Sequence, residues 1–206
     1  MLRQTLVIFA AGLIPLVACR AGGEQPEGRE GDTVAASGRV VDSIFPMEEQ
    51  IRRFQATVAD TPTTFRGGSA SRDGLVEAFL SAVQARDADA LAALTMDRAE
   101  YAFLYYPYSA FARPPYELPP EIHWLQVQNT QSRSLTRLFQ QLDERTLDPR
   151  GYRCDGEPVA SGPIRIWENC FVLVPGGTED VVEQRLFGSV LEHDGRFKFL
   201  SLSNEL

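Results

Sequence analysis

Apolar side chains at Met47, Ile51, Phe54 and Val58 are spaced by four, three and four residues, the repeat of one face of a helix. This spacing predicts a first helix over 46–59, with Pro46 in its opening turn, where a missing N–H is tolerated. Thr61 to Gly68 is rich in breakers. A second helix follows, capped by Ser71 or Asp73, burying Leu75, Val76, Phe79, Leu80 and Val83 and ending near Arg86. A short third helix runs from Asp87 to Leu94, and Asp97 caps a further turn or two carrying Tyr101, Phe103, Leu104 and Tyr105. Pro107, Pro114, Pro115, Pro119 and Pro120 then exclude both helix and central strand. The expectation there is a long loop that packs Tyr106, Tyr108, Phe111 and Tyr116, of the kind that covers a pocket mouth. From Pro120 a long helix is predicted to about Arg145, with Ile122, Leu125, Asn129, Ser132, Leu135, Leu138, Phe139 and Leu142 inward. Its middle, Gln128, Asn129, Gln131 and Ser132, is polar, and reads as a solvated turn or as a polar patch facing a cavity.

Beyond Pro149 the period shortens to that of strands. Ile164, Ile166, Trp167, Phe171, Val172, Leu173 and Val174 form one run ended by Pro175-Gly176-Gly177, and Val181 to His193 forms another. Asp194-Gly195 suits a two-residue hairpin turn in which both central residues take positive φ. That turn sets Val190 opposite Phe199 and Leu191 opposite Lys198. Val190, Phe197 and Phe199 then share one face, and Phe187, Leu191, Leu200 and Leu202 the other, as for a sheet that packs helices on one side and lines a cavity on the other. The fold class expected is therefore α+β, with N-terminal helices packed on an antiparallel sheet.

The start of the chain differs in kind. Met1 to Arg3 is a short basic opening, and Gln4 to Ala18 is fifteen uncharged residues rich in Leu, Ile, Val and Ala, the core of a signal peptide. A spanning helix needs about 20 apolar residues, whereas Pro15 interrupts this run and Arg20, Glu24 and Glu27 follow it. Leu16-Val17-Ala18-Cys19 resembles the lipobox of bacterial lipoproteins. The resemblance implies a diacylglyceryl group on Cys19, cleavage before it, and a mature protein anchored through lipid to the bacterial cell envelope. Arg20, rather than Asp, after the cysteine goes with the outer membrane, facing the periplasm. Arg20 to Gly38, with six glycines or prolines and little to bury, reads as a disordered tether. The domain scheme expected is a leader over 1–18, a tether over 19–43 and a single α+β domain over 44–206.

Charge narrows the partners. The formal charge is −8, or −9 once Arg3 leaves with the leader, so no basic stripe is present to meet phosphates and nucleic acid is not an expected partner. Of the twenty basic residues only Lys198 is lysine, a skew that reads as codon usage rather than function. With Cys19 lipidated, Cys154 and Cys170 remain, an even number in an oxidising compartment. Each lies eight residues from Gly162. Pairing of Gly151 to Asp155 with Asn169 to Val174 about that centre brings the sulfurs opposite, and a structural disulfide is expected ahead of a redox pair or free thiols.

The segment from Asp73-Gly74-Leu75-Val76-Glu77 through Arg86-Asp87-Ala88-Asp89 to Leu94, and the closing Glu192-His193-Asp194-Gly195-Arg196-Phe197-Lys198-Phe199, are similar to the opening and final hairpin of the nuclear transport factor 2-like (SnoaL-like) superfamily. The resemblance covers about residues 71 to 206 and implies a cone-shaped fold in which the helices pack on one curved antiparallel sheet. The helix at 46–59 and the proline-rich insert depart from it. That superfamily includes isomerases, dehydratases, small-molecule binders and assembly modules, so the fold leaves activity open.

Candidate chemistry is sparse. No metalloprotease, nucleophile-elbow or phosphate-loop motif occurs, and no metal site or cofactor is expected. His193 abuts the Asp-Gly turn and reads as an exposed strand end. His123, beside Trp124, is the weak candidate for a general base, no catalytic residue being assigned outright. The candidate pocket comprises Tyr101, Tyr105, Tyr108, His123, Trp124 and Trp167, rings equally suited to filling a core. Three functions stay open: a non-catalytic lipoprotein binding a small apolar ligand or a protein partner; a small isomerase or dehydratase using His123, Asp97 or Glu100; and an assembly module forming a homodimer through its sheet.

Overall fold

Residues 45–142, 148–176 and 180–203 are described by a computed structural model of the chain. The leader, Cys19 and the tether lie outside the described residues, as does the expected helix end near Arg145. The chain is mixed α+β, and α2, α3 and α4 each start at a residue whose side chain caps the helix. Helix α1 (Met47–Gln55) follows Pro46; α2 (Arg72–Ala85) is capped by Ser71, whose hydroxyl accepts from the Gly74 N–H; and α3 (Ala88–Ala93) is capped by Asp87. Arg86 ends α2 in the left-handed region, φ 55°. Helix α4 (Arg98–Glu100) is one turn with a full capping box, Asp97 and Glu100 each accepting from the other's backbone N–H. It runs on as a π-helical turn over Tyr101–Tyr105 and a 3-10 turn over Tyr106–Tyr108. Helix α5 (Pro120–Leu142) follows the proline-rich segment.

Among the described residues, seven strands form two antiparallel sheets rather than one curved sheet: β1 (Gly151–Cys154), β4 (Cys170–Pro175) and β5 (Val181–Gln184) in the order β1-β4-β5, and β2 (Val159–Ser161), β3 (Ile164–Trp167), β6 (Val190–His193) and β7 (Arg196–Phe199) in the order β2-β3-β6-β7. Both long runs expected from the sequence are broken where the chain passes from one sheet to the other. Around Gly162 the β2–β3 hairpin pairs Val159 with Ile166, while β1 and β4 pair Cys154 with Cys170. The first arm between those pairs holds residues 155–158 and the second 167–169. A one-residue offset turns side chains to the opposite face, and Gly156 at φ 68° with Pro158 accommodates the turn. The last hairpin has the expected register, Val190 with Phe199 and Leu191 with Lys198, and Asp194 and Gly195 both take positive φ.

Neighbouring residues of β6 enter different cores. Val190 and Phe199 join α2, α3, the end of α5 and the β1-β4-β5 sheet, whereas Leu191, Ile164 and Ile166 join α1, the 101–106 turns and the start of α5. The sheet is buried on both faces, so its second side packs against aromatics. Phe187 and Leu202 belong with Val190, not with Leu191, because the chain breaks from strand before Val190.

Helix α5 serves both cores. Trp124 and Val127 enter the second, Leu135, Leu138 and Phe139 the first, and between them Gln131 Nε2 lies 3.4 Å from Thr95 Oγ1. Its first half is rotated from expectation: His123 and Trp124 point inward while Ile122 and Leu125 are 45% and 52% exposed and Asn129 and Ser132 face solvent. Among the described residues no helix is long and apolar enough to cross a membrane.

Candidate functional site

The π-helical turn sets Tyr101, Tyr105 and Tyr106 together against the first turns of α5. Tyr101 is the hub. Its ring lies 4.8 Å from Trp124, 5.6 Å from Tyr106, and 5.8 Å from Tyr105, Phe54 and His123. Its hydroxyl is 2.6 Å from His123 Nδ1. Burial, then the neighbouring Tyr106 and Tyr105, push the Tyr101 pKa up, so the phenol keeps its proton and is able to donate. With the phenol as donor, His123 takes the Nε2–H tautomer. Burial also pushes Tyr105, with the help of the Glu168 charge, and Tyr106 up to about 12. The Tyr106 hydroxyl donates to the Leu118 carbonyl, which fastens the proline-rich segment to the cluster.

His123 is buried and burial lowers its pKa to about 4. Phe111 stacks on its ring at 4.0 Å. A base this weak, with one nitrogen taken and one face covered, is poorly placed to abstract a proton. It does create a pH dependence. Between about pH 6.5 and 4 the unfolded histidine takes a proton that the folded one refuses, so stability falls as pH falls through that window and is intact above it. The full linkage between pH 7 and 5 is about 2 kcal/mol, about 1 kcal/mol after discounting for partial solvent contact. Urea unfolding at both pH values should show His123→Asn losing about 1 kcal/mol less than wild type on acidification; equal losses would show that His123 is not held neutral.

Tyr101, Tyr105, His123 and Trp124 thus come together, and Tyr106 and Phe111 join them. The two remaining candidates do not. Trp167 packs in the first core beside Phe197, at 5.9 Å, with the Arg72 guanidinium 5.3 Å from its ring. Tyr108 is half exposed and lies over the β2–β3 turn, so close that a Cβ on Gly162 would fall 2.2 Å from its ring. An open groove of about 550 Å³ lies along α5 at Thr130, Ser132, Arg133, Thr136 and Arg137, and none of the six candidate residues lines it. Of the polar quartet, only Ser132 does.

Within the cluster one polar atom is left over. Trp124 is buried and its indole Nε1–H finds no acceptor among the described residues. A buried N–H without a partner costs about 1–3 kcal/mol, and such orphans are rare enough to need a reason.

Two carboxylates were candidates for acid-base work. Asp97 is half-buried; it caps α4 and pairs with Arg66 at 2.7 Å. Glu100 is fully buried but saturated, accepting from the backbone N–H groups of Arg66 and Asp97 and from Lys198 Nζ at 2.9 and 3.1 Å. Lys198, whose rarity carried no functional weight in the sequence, is 3% exposed and reaches Glu100 from the β7 face shared with Leu191. His193 is buried, not an exposed strand end, because the carbonyls of Thr63 and Pro163 enclose its ring.

Cys154 and Cys170 form a disulfide across β1 and β4. No protein-family model matches the chain, no curated protein matches its sequence, and no solved structure matches its fold.

Proposed function

We propose that this chain is a lipid-anchored envelope protein whose domain, of nuclear transport factor 2-like descent, binds a small neutral molecule non-catalytically at the aromatic cluster around Tyr101. The Leu16 to Cys19 lipobox and the signal-peptide core support the anchor. The order of α2, α3 and the terminal hairpin supports the descent; the division of the strands into two sheets departs from a simple cone. The observation that carries the binding reading is the orphaned Trp124 N–H amid Tyr101, Tyr105 and Tyr106. A ligand oxygen would satisfy it, and the surrounding rings would bury an apolar body. None of the cluster's own rings carries a charge near neutral pH, since burial keeps His123 deprotonated, and the Glu168 carboxylate near Tyr105 disfavours an anion further.

The acid-base alternative has the Tyr101–His123 pair in its favour. It is weaker because Nδ1 is occupied and Phe111 covers the ring.

Intact-mass measurement of protein from membrane fractions tests the anchor. Loss of the first eighteen residues with diacylglyceryl on Cys19 is expected; a bare sulfur or a retained leader overturns it. The site is tested with a medium-chain methyl ketone as probe, following Trp124 fluorescence in a Trp167→Phe background. Saturable quenching is expected, with affinity for the ketone at least tenfold above that for the fatty acid of equal length, since a charge must be desolvated to enter. No saturable response, or preference for the acid, overturns the binding reading.

A further inference from the structure

His193 closes β6, and its ring is gripped between two parts of the chain remote from it in sequence. Nδ1 lies 3.1 Å from the Pro163 carbonyl oxygen in the β2–β3 turn, and Nε2 lies 2.9 Å from the Thr63 carbonyl oxygen. A carbonyl oxygen only accepts, so each contact is a hydrogen bond only when that nitrogen carries a proton. The imidazolium ring has both protons. The neutral ring has one, and its other nitrogen would turn a lone pair on a carbonyl oxygen.

The charged groups around the ring are compatible with a cation. The Asp194 carboxylate is 3.7 Å from Nε2. On β6 itself Glu192 is held by Arg165 of β3 at 2.6 Å and by the Gly195 N–H. Arg196 of β7 stands opposite His193 in register. On the 61–66 segment Arg66 is paired with Asp60 and Asp97. The β2–β3 turn, Gly162-Pro163, has no charge.

We propose that His193 is a proton-dependent latch: protonated on both ring nitrogens it ties the 61–66 segment to the β2–β3 turn, and loss of one proton frees one end of that tie. The tied segment holds Phe65, which meets the His193 ring edge-on at 5.7 Å and is buried in the same core as Tyr101 and Trp124. It also supplies the Arg66 N–H to Glu100 at 2.6 Å. Release therefore loosens one wall of the aromatic cluster. The latch stands whether or not that cluster binds a ligand; only pH-dependent ligand escape rests on the binding reading.

Amide hydrogen exchange of the mature protein at pH 5.5 and pH 8, corrected for the intrinsic pH dependence of exchange, reads the latch directly, with nitrogen-15 shifts of His193 recorded alongside. At pH 5.5 both ring nitrogens should show the protonated signature. Protection of the Phe65 and Arg66 amides should fall roughly tenfold or more by pH 8, the loss of one charge-assisted hydrogen bond, while amides inside α2 keep theirs. His193→Gln, which offers one donor group and one acceptor, should leave those two amides weakly protected at both pH values. Should that variant not fold, the wild-type shifts and protection decide alone. One bare ring nitrogen at pH 5.5, or equal protection at the two pH values, overturns the latch. Neither readout involves a ligand, so a failed ketone titration leaves it intact.

Discussion

Lys198→Met should cost about 3–5 kcal/mol, the ordinary penalty for stripping one partner from a buried ion pair. For a domain of this size that is a fall in Tm of roughly 6–20 °C. The loss comes less from the missing attraction than from what remains: a carboxylate at Glu100 with no solvent contact and only the Arg66 and Asp97 N–H groups to hold its charge. Neutralising it should therefore rescue the protein. Glu100→Gln with Lys198→Met should lie within about 1–2 kcal/mol of wild type, because a buried pair replaced whole is nearly neutral. The rescue is incomplete because the glutamine amide has one oxygen for the two backbone donors that Glu100 serves with two. Measured as a double-mutant cycle by urea unfolding, the two sites should couple by about 2–3 kcal/mol. Additive single changes, or a Lys198→Met penalty below about 1 kcal/mol, would show that this pair contributes nothing to holding β7 against α4.

What the sequence disclosed follows the reach of the interactions concerned. Caps act within three residues, so the sequence narrowed that of α2 to Ser71 or Asp73, of which Ser71 serves, and named Asp97 for α4, while it took Asp87, the cap of α3, as that helix's first residue; the terminal hairpin, set by its two turn residues, was legible in register. The disulfide register followed from symmetry about Gly162, a centre written in the chain. The face of α5 was not legible in the same way. Two stripes competed near its start, Ile122 and Leu125 against His123, Trp124 and Val127, and hydropathy favours the first. The tyrosines of the 101–106 turns chose the second, because only there could His123 accept from Tyr101 and Trp124 pack against its ring. No periodicity contains that information.

The same holds for the site. Four of the six candidate aromatics converge, since Tyr101 and Tyr105 share one turn and His123 and Trp124 another, and those turns pack together. Trp167 falls away because successive residues of a strand face opposite sides, which puts it on the other face of β3 from Ile166 and into the first core. Lys198 meets Glu100 across 98 positions, and His193 meets Thr63 across 130. A lone lysine and a histidine beside a turn carry no local sign of such partners. The residues most constrained by the fold were thus the ones whose sequence context was least informative.

Reducing the Cys154–Cys170 disulfide should cost about 3 kcal/mol, the chain-entropy value for a closed loop of about fifteen residues. That corresponds to roughly 6–12 °C in Tm. The position of the bond adds to the argument. Residues 155–169 leave the β1-β4-β5 sheet, form the β2–β3 hairpin in the other sheet, and return. The disulfide closes that excursion at its base, and Cys170 is packed in the first core beside Val172. Reduction should therefore release β1 first, because among the described residues β1 is an edge strand paired with β4 alone. Melting with and without reductant gives the size of the effect, and amide exchange over 151–154 its location. Cys154→Ala serves as a second measure that leaves the buried Cys170 side chain in place; it should match the reduced wild type within about 1 kcal/mol if the cross-link, not packing, is what matters. Identical melts in both redox states, or two titratable thiols in denatured protein prepared under oxidising conditions, would refute the bond's role. The outcome also bears on location, since a domain weakened this far by reduction is suited to a compartment that keeps the bond closed.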